Sequence, residues 1–493
     1  MTQAGGIPSA QAEVAAFLAG LAGATPIETH ISAIFVGRET AWKIKKAVAL
    51  GFLDFSSLEA RGHFCRRELE VNQPAAPGIY RDVVAVTRAP DGNLQQGGGG
   101  EVVEWVLRMA PIPTGDFLDR VAACGGLDDK LLDTMGDTVF ALHQAAPPVA
   151  GLDAPAAMAS VLAGNLRAAR AAGLPEAAIA PLEAALQAGL ARLTPLLAAR
   201  AAEGRIRRCH GDLHLGNLCL WQGKPTPFDA LEFDEALARI DTGYDLAFLL
   251  MDLDQQAGRA AANRVLNRYL ARSGDYDLLG PLPLWLALRA LVRAHVHAAR
   301  GRDGAKLLRA AKAYLAPSPP LLIAVGGLQG TGKSTLARGL APALGAAPGA
   351  LLLRSDELRK RRFGLAPEAS LPPEAYAEEV SRAVHEELFI IAEVALRQGH
   401  AVALDAVFLD PDHRRHAAEI AARAGVPFQG FWLEAPMEIL KSRILARRGD
   451  ASDATIAVLE RAAKADPGPI DWIRLDAAGE AQAAARKALG VTG

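Results

Sequence analysis

The chain has little of what several functional classes require. Its 493 residues include four cysteines, Cys65, Cys124, Cys209 and Cys219, none of them in a CxxC pair. Disulfide frameworks and zinc knuckles need paired cysteines, so the thiols read as free. Aromatics make up 5% of the chain, too few to advertise a platform for stacking bases. Positive charge is not in excess: 53 Lys+Arg stand against 55 Asp+Glu, which excludes a broad electrostatic grip on nucleic acid. No apolar run reaches the roughly 20 residues of a membrane span, because Arg289 and Arg293 interrupt the best stretch around Leu282–Val292. No basic residue precedes Arg38, so the charged start of a secretory signal is missing. The expectation is a soluble, cytoplasmic protein without a membrane partner.

What is present is core material and order. Half the residues are hydrophobic, and the length is enough for roughly two to four folding units. Residues 27–113 read mainly as strands, with a hairpin about Gly37-Arg38-Glu39 and a charged helix over Arg61–Asn72. The glycine run Gly97–Gly100 reads as a loop between strands, since no helix start follows it. From about Thr114 the pattern is helical and Ala/Leu-rich, broken by a short strand–loop–strand region over Arg207–Phe233. Proline cannot continue a helix, so Ala316-Pro-Ser-Pro-Pro320 marks a boundary between 1–316 and 317–493, two parts expected to fold independently. Beyond it strands and helices alternate, the pattern of a parallel α/β sheet.

The second part opens with a phosphate-binding signature. Gly327-Leu328-Gln329-Gly330-Thr331-Gly332-Lys333-Ser334 fits GxxxxGK[ST], with an apolar strand before it and an amphipathic helix from Thr335 after it. Glycines let backbone N–H groups curl about a phosphate, Lys333 reaches the outer phosphates, and the Ser334 hydroxyl suits Mg²⁺. A strand ending in Asp405 offers a carboxylate that can hold Mg²⁺ through water, or simply ends the strand. Asp356 follows another strand and sits where a carboxylate can take a proton from an acceptor hydroxyl, or cap the next helix. Arg443 and Arg447 lie four apart on a helix expected over Glu438–Arg448, either to clamp a migrating phosphoryl group or as a solvated face. The basic run Arg359-Lys360-Arg361-Arg362 reads as a solvated helix face, or as a contact for phosphates of a 5′-hydroxyl nucleic-acid acceptor. No NKxD element follows, so guanine specificity has no support.

The first part carries its own polar cluster. In His210-Gly211-Asp212-Leu213-His214-Leu215-Gly216-Asn217, an Asp and an Asn five apart can bracket a transferring phosphate. Asp212 would orient or deprotonate the acceptor hydroxyl and the Asn217 amide oxygen would bind Mg²⁺. Asp229 offers a second metal carboxylate, with Asp234 as the alternative. Asp241 and Asp245 are expected to fix the loop. Lys43 and Lys45 share one strand face and offer an ammonium for the α/β-phosphates, with Glu68 or Glu70 on the next helix to orient it.

The order Gly327–Ser334, Arg354-Ser-Asp356-x-x-Arg359, Asp405 and Arg443-x-x-x-Arg447 resembles small P-loop kinases of the gluconate-kinase-like, polynucleotide-kinase-like and zeta-toxin-like groups. That likeness implies Asp356 as acceptor base and Arg443/Arg447 as lid arginines. His210-Gly-Asp212-Leu-His214-x-Gly-Asn217 resembles the aminoglycoside and choline phosphotransferase branch of the protein-kinase-like fold. It implies a catalytic Asp212, metal ligands Asn217 and Asp229, bracing roles for His210 and His214, and an adenine-binding hinge near Met109–Ile112. The missing GxGxxG also fits that branch. The whole chain resembles bacterial proteins described as bifunctional aminoglycoside phosphotransferase/ATP-binding proteins. The fold implied is a bilobal protein-kinase-like unit (small lobe about 1–113, large lobe about 114–316) followed by a P-loop α/β unit. The implied activity is ATP- and Mg²⁺-dependent transfer to small-molecule hydroxyls at two sites, or at one site regulated by the other. Aminoglycosides do not follow as the acceptor, since they would need clustered carboxylates near Asp212.

Overall fold

The structure is a computed structural model that describes residues 6–50, 53–446 and 451–491. The first part opens with helix α1 (Ala12–Ala22) packed on a six-stranded antiparallel sheet. The strands are β1 (Ile27–Glu28), β2 (Ser32–Val36), β3 (Ala41–Lys45), β4 (Tyr80–Arg88), β5 (Leu94–Gln96) and β6 (Glu101–Met109), in spatial order β1-β2-β3-β6-β4-β5. The expected hairpin is β2–β3, in which Val36 pairs with Ala41 and Ser32 with Lys45. Helix α2 (Leu58–Asn72), N-capped by Ser57, crosses the sheet on its cleft side. A helical lobe follows. Its frame is α3 (Asp129–Ala145), α4 (Thr242–Gln256), α5 (Arg259–Ser273) and α6 (Leu282–Ala299). The residues of α4 from Thr242 to Leu253 are all buried, mostly apolar but with the carboxylates Asp245 and Asp252 among them.

The second part is a five-stranded parallel sheet: β7 (Leu322–Gly327), β8 (Leu351–Arg354), β9 (Val402–Asp405), β10 (Phe428–Glu434) and β11 (Ile473–Asp476), in order β8-β9-β7-β10-β11. Helix α7 (Lys333–Leu340) follows β7, and α8 (Ser355–Arg362) follows β8. Every residue of β7 and β9 is buried, as expected for central strands covered on both faces. The fold is thus a kinase-like bilobal unit followed by a P-loop parallel α/β unit. Among the described residues no helix is long and apolar enough to cross a membrane.

The two parts pack against each other. One continuous core holds Leu270, Leu278 and Leu279 from the first part together with Leu351, Leu358 and Leu388 from the second. The free edge of β8 is also closed by the first part. Asn263 and Asn267, one turn apart on α5, donate to the Ala350 carbonyl at 3.0 and 3.2 Å. The Leu352 N–H donates to Asn267 Oδ1 at 2.7 Å. An open edge strand is a pairing hazard, and here amide side chains from the other part satisfy it. Asn267→Leu should therefore cost about 1–3 kcal/mol, the penalty for stranding a buried donor. Urea denaturation of the full chain checks this, and an unchanged midpoint would mean that the edge is not held by Asn267.

Candidate functional site

The first site forms where β3, α2 and the segment after Pro227 meet. Alternation along β3 turns Lys43 and Lys45 to one face, and both are buried. Lys43 Nζ donates to Glu68 Oε1 at 2.7 Å and to Asp229 Oδ1 at 2.6 Å. Lys45 Nζ donates to Glu68 Oε2 at 2.5 Å and also pairs with Glu232. Both lysines thus use Glu68, which is fully buried, while Glu70 pairs with Arg67 at the surface. Burial alone would lower the Lys43 pKa. The charges of Asp229 and Glu68 overrule it and hold the ammonium well above its ordinary range.

Asp229 sits at φ 62°, in the left-handed region that Asp tolerates better than most residues. Its N–H donates to the Tyr80 hydroxyl at 2.9 Å, and Asn72 on α2 accepts from the Ala230 N–H at 2.7 Å. Those two bonds fix the turn that aims the Asp229 carboxylate at Lys43. The alternative, Asp234, lies elsewhere: it caps the short helix Glu235–Ala238, accepting from Ala236 N and Leu237 N.

The His210–Asn217 loop is held from behind. Asp245, in the first turn of α4 and fully buried, accepts from the backbone N–H of His210 at 3.2 Å and of Gly211 at 2.9 Å. His143 Nε2 lies 3.2 Å from Asp245, and His143 Nδ1 lies 2.9 Å from the Tyr269 hydroxyl. Cys209, beside this group, donates to the Ile240 carbonyl. The buried trio His143, Cys209 and Asp245 lies within metal-ligand reach, yet each member already has a hydrogen-bond partner, so it reads as a brace. Arg289 donates to the Gly211 carbonyl at 3.3 Å and stacks over Tyr244. Asp241 instead pairs with the buried Arg200, which also holds Asp275.

On the cleft side, Asn217 Nδ2 donates to both the carbonyl and Oδ2 of Asp212 at 2.9 Å, and His214 Nε2 lies 3.5 Å from the same carboxylate. Burial would raise the Asp212 pKa. The His214 contact and neighbouring positive charges outweigh it and hold the carboxyl well below the usual range. Lys43, Lys45, Asp212, Asn217, Asp229 and Glu232 line one cavity of about 500 Å³. Met109 is not among its lining residues. It lies instead in an apolar cluster with Ala41, Leu107 and Cys219, against which Ile34, Ile112 and Phe228 pack.

The second site lies at the carboxyl edge of the parallel sheet, where open α/β folds bind ligands. Gly327 has φ 135° and a Cβ there would lie 2.5 Å from the Leu433 carbonyl oxygen; Gly330 has φ 85° and a Cβ would lie 2.8 Å from the Leu440 oxygen. Only glycine fits either position. Lys333 begins α7 and its Nζ donates to the Leu328 carbonyl at 3.0 Å, curling over the loop. Thr331 Oγ1 donates to the same oxygen at 2.8 Å. Ser334 Oγ donates to Asp405 Oδ2 at 2.5 Å, and Arg354 reaches both, at 3.0 Å from Ser334 Oγ and 3.1 Å from Asp405 Oδ2. Arg354 and Asp405 are cross-strand partners on β8 and β9. The sequence reading gave Arg354 no task, because only strand pairing reveals it.

Gln329, Lys333, Ser334, Thr335, Asp356, Asp405 and Arg443 surround one cavity of about 720 Å³. Burial pushes the Asp356 pKa up, the charge of Arg354 opposes that, and nearby Asp405 adds to it. Arg443 donates to the Ala477 carbonyl at 2.8 Å and lies against Gly330. Its helix is described over Met437–Ala446, and Arg447 lies outside the described residues. Arg359, Tyr376, His385 and Asp453 also line this cavity, without a signal in the sequence that marks the last three. The basic run is not the solvated face expected. Lys360 is fully buried against Asp453, Arg361 is shared by Tyr276 and Glu387, and Arg359 is buried.

Comparison with known proteins agrees with this two-part layout. The Phosphotransferase enzyme family profile matches residues 126–291, and an AAA domain profile matches residues 322–466. An uncharacterized protein of Mycobacterium tuberculosis is 30% identical over 473 residues, covering 92% of each chain, and one of Mycobacterium bovis matches to the same extent. An adenylyl-sulfate kinase of Paraburkholderia xenovorans is 32% identical over 136 residues, 26% of this chain and 70% of that one. The crystal structure of a choline kinase from Cryptosporidium parvum covers 59% of this chain and 87% of its own, at 11% identity and a TM-score of 0.38.

Proposed function

Because the chain belongs to the family of these mycobacterial proteins, and joins a phosphotransferase-family domain to a P-loop kinase domain, we propose a kinase with two working sites. Each transfers the γ-phosphoryl group of ATP to a hydroxyl of its own small-molecule acceptor. The observation that carries this reading is the pair of separate cavities, each bringing phosphate-holding cations together with a carboxylate suited to a hydroxyl proton.

In the P-loop cavity the residue types fit Mg·ATP. Gly327 and Gly330 leave room for backbone N–H groups to approach phosphate, and Lys333 supplies the charge for its outer oxygens. Ser334 and Asp405 are hard oxygen donors of the kind Mg²⁺ takes. Asp356 would accept the acceptor proton, and the upward push on its pKa by burial makes it a better base at neutral pH. In the first cavity Lys43 would hold phosphate, with Glu68 fixing its position. Asn217 spends its amide nitrogen on Asp212, which leaves its carbonyl oxygen for a cation beside Asp229. Bound Mg²⁺ would neutralise charge on the outer phosphate oxygens at either site. The apolar cluster about Ala41, Met109 and Phe228 would take the adenine ring.

Calorimetric titration of the full chain with a non-hydrolysable ATP analogue and Mg²⁺ should give a stoichiometry of two. Lys333→Ala and Lys43→Ala should each leave one. A wild-type stoichiometry of one would remove the two-site reading.

A further inference from the structure

The cavity in front of Asp212 is not of one charge. Its carboxylates, Asp212, Asp229 and Glu232, gather at the transfer end, where Asn217, Lys43 and Lys45 engage them. Another part of the wall is α6 and the residue that caps it. Val292, Arg293, Val296 and Arg300 line the cavity there. Positions 293, 296 and 300 are spaced three and four apart, so they share one helical face. That wall offers two guanidinium groups and two valines, and among its described residues no carboxylate.

Neither arginine is held in a close ion pair; Arg293 is half-buried and Arg300 is exposed. Among the described residues Arg300 has no carboxylate within ion-pair distance, and Arg293 has only a loose contact, 3.9 Å, with Asp252. Asp252 is itself buried behind the cavity and accepts from the Leu215 N–H. Arg300 at a helix C-terminus would suit the helix dipole in any case, but Arg293 lies two turns further in and has no such reason.

A polyamine acceptor would need carboxylates not already engaged by cations; Asp229 and Glu232 are paired with Lys43 and Lys45, and the α6 residues that line the cavity include no carboxylate. A quaternary ammonium would need an open aromatic face. Of the two phenylalanines that line the cavity, Phe248 is already faced by Arg289 at 4.6 Å and by the His214 ring at 5.3 Å, and Phe233 follows Glu232 at the transfer end; the α6 residues that line it, Val292, Arg293, Val296 and Arg300, include no ring. Guanidinium groups are matched instead to carboxylate, phosphate or sulfate, which they bind through paired N–H donors.

We propose that the acceptor at Asp212 is a small alcohol carrying an anionic group, which Arg293 and Arg300 bind while its hydroxyl faces Asp212. This rests on the reading of Asp212 as the base. The acceptor oxygen forms a new bond to the γ-phosphorus, the bond from that phosphorus to the ADP oxygen breaks, and the hydroxyl proton passes to Asp212.

The test uses the full chain with Lys333→Ala to silence the P-loop site. Glycerate, glycerol 3-phosphate and glucose 6-phosphate are compared with kanamycin, choline, glycerol and glucose. Readouts are ADP release with Mg·ATP and thermal shift with a non-hydrolysable analogue. At least one anionic alcohol should bind or turn over, and Arg293→Gln with Arg300→Gln should weaken it at least tenfold in KM or Kd while the ATP KM stays unchanged. If no anionic probe distinguishes wild type from the double variant, or if kanamycin or choline is consumed equally well by both, the proposal falls. Asp212→Asn is run in parallel. Turnover of a cationic acceptor that Asp212→Asn abolishes rejects only the anionic class, whereas turnover surviving Asp212→Asn rejects the base.

Discussion

Asp212→Asn should lower phosphoryl transfer at the first site by about 10²–10⁴-fold, the usual contribution of a positioned general base. Affinity for Mg·ATP should stay nearly unchanged. The two effects separate because the groups are separate. Lys43 and Asp229 face each other at 2.6 Å and would meet the nucleotide in the ground state. Asp212 is tied to Asn217 at 2.9 Å and keeps its other oxygen for the acceptor hydroxyl, whose O–H bond weakens only as transfer proceeds. An interaction made only in the transition state changes kcat and leaves binding alone. Asn217→Ala should differ, weakening Mg·ATP as well as rate, because it removes both the anchor of Asp212 and the oxygen proposed for the metal. The carboxyl is held below its ordinary range, so it is already the base form at neutral and mildly acidic pH. The acid limb of the rate profile that belongs to Asp212 should therefore lie below about pH 4. Single-turnover kinetics in the Lys333→Ala background provide the measurement. Near-wild-type transfer by Asp212→Asn would defeat the assignment of His210–Asn217 as the catalytic loop.

Glu68→Ala should be the most destabilising single change in the first part, at about 3–5 kcal/mol, the range for removing one partner of a buried ion pair. Glu68 is fully buried and holds two ammonium groups, at 2.7 Å for Lys43 and 2.5 Å for Lys45. Without it two buried cations are left with Asp229 and Glu232 alone. The sign with pH follows from the raised lysine values. A cation whose folded pKa is raised contributes fully below its unfolded pKa of about 10.4, and the contribution is lost as pH rises through the folded value. The deficit of Glu68→Ala should therefore be constant between about pH 6 and 9. Glu70→Ala, which loses only a surface pair with Arg67, should cost no more than about 1 kcal/mol. Urea denaturation of the full-length variants is the comparison. A Glu68→Ala deficit as small as that of Glu70→Ala would mean that the lysines find other partners and that Glu68 does not organise the site.

Several features were legible because their physics is local. Gly327–Ser334 is a backbone conformation written in residue types: glycines where φ is positive and a Cβ would collide, then a helix start at Lys333. His210–Asn217 is likewise a single loop, in which Asn217 reaches Asp212 across five residues. Strand alternation was enough to set Lys43 and Lys45 on one face. Choosing Glu68 over Glu70 was beyond the sequence. Residues two apart on a helix point to different sides, and only the packing of α2 on the sheet decides which side meets β3. Asp229 and Asp234 were equally plausible for the same kind of reason, until the Tyr80 hydroxyl and Asn72 fixed the turn at one and a short helix consumed the other.

By itself, then, the sequence determined the glycine loop Gly327–Ser334 and the polar loop His210–Asn217, their order along the chain, and the parallel and bilobal frames that carry them. Each of those is set by neighbours within one loop, strand or helix. Tertiary structure alone decided the rest. It placed Asn263 and Asn267 on the open edge of β8, so that two parts separated by a proline stretch share one core. It buried Lys360 against Asp453 and paired the half-buried Arg361 with Glu387, so that an apparent surface charge run is in large part tied into the fold. It also set Arg293 and Arg300 on the wall of the cavity that holds Asp212. Such contacts join residues tens to hundreds of positions apart, and no local propensity records them, because the energy that selects them is the burial and pairing available only once the elements have met.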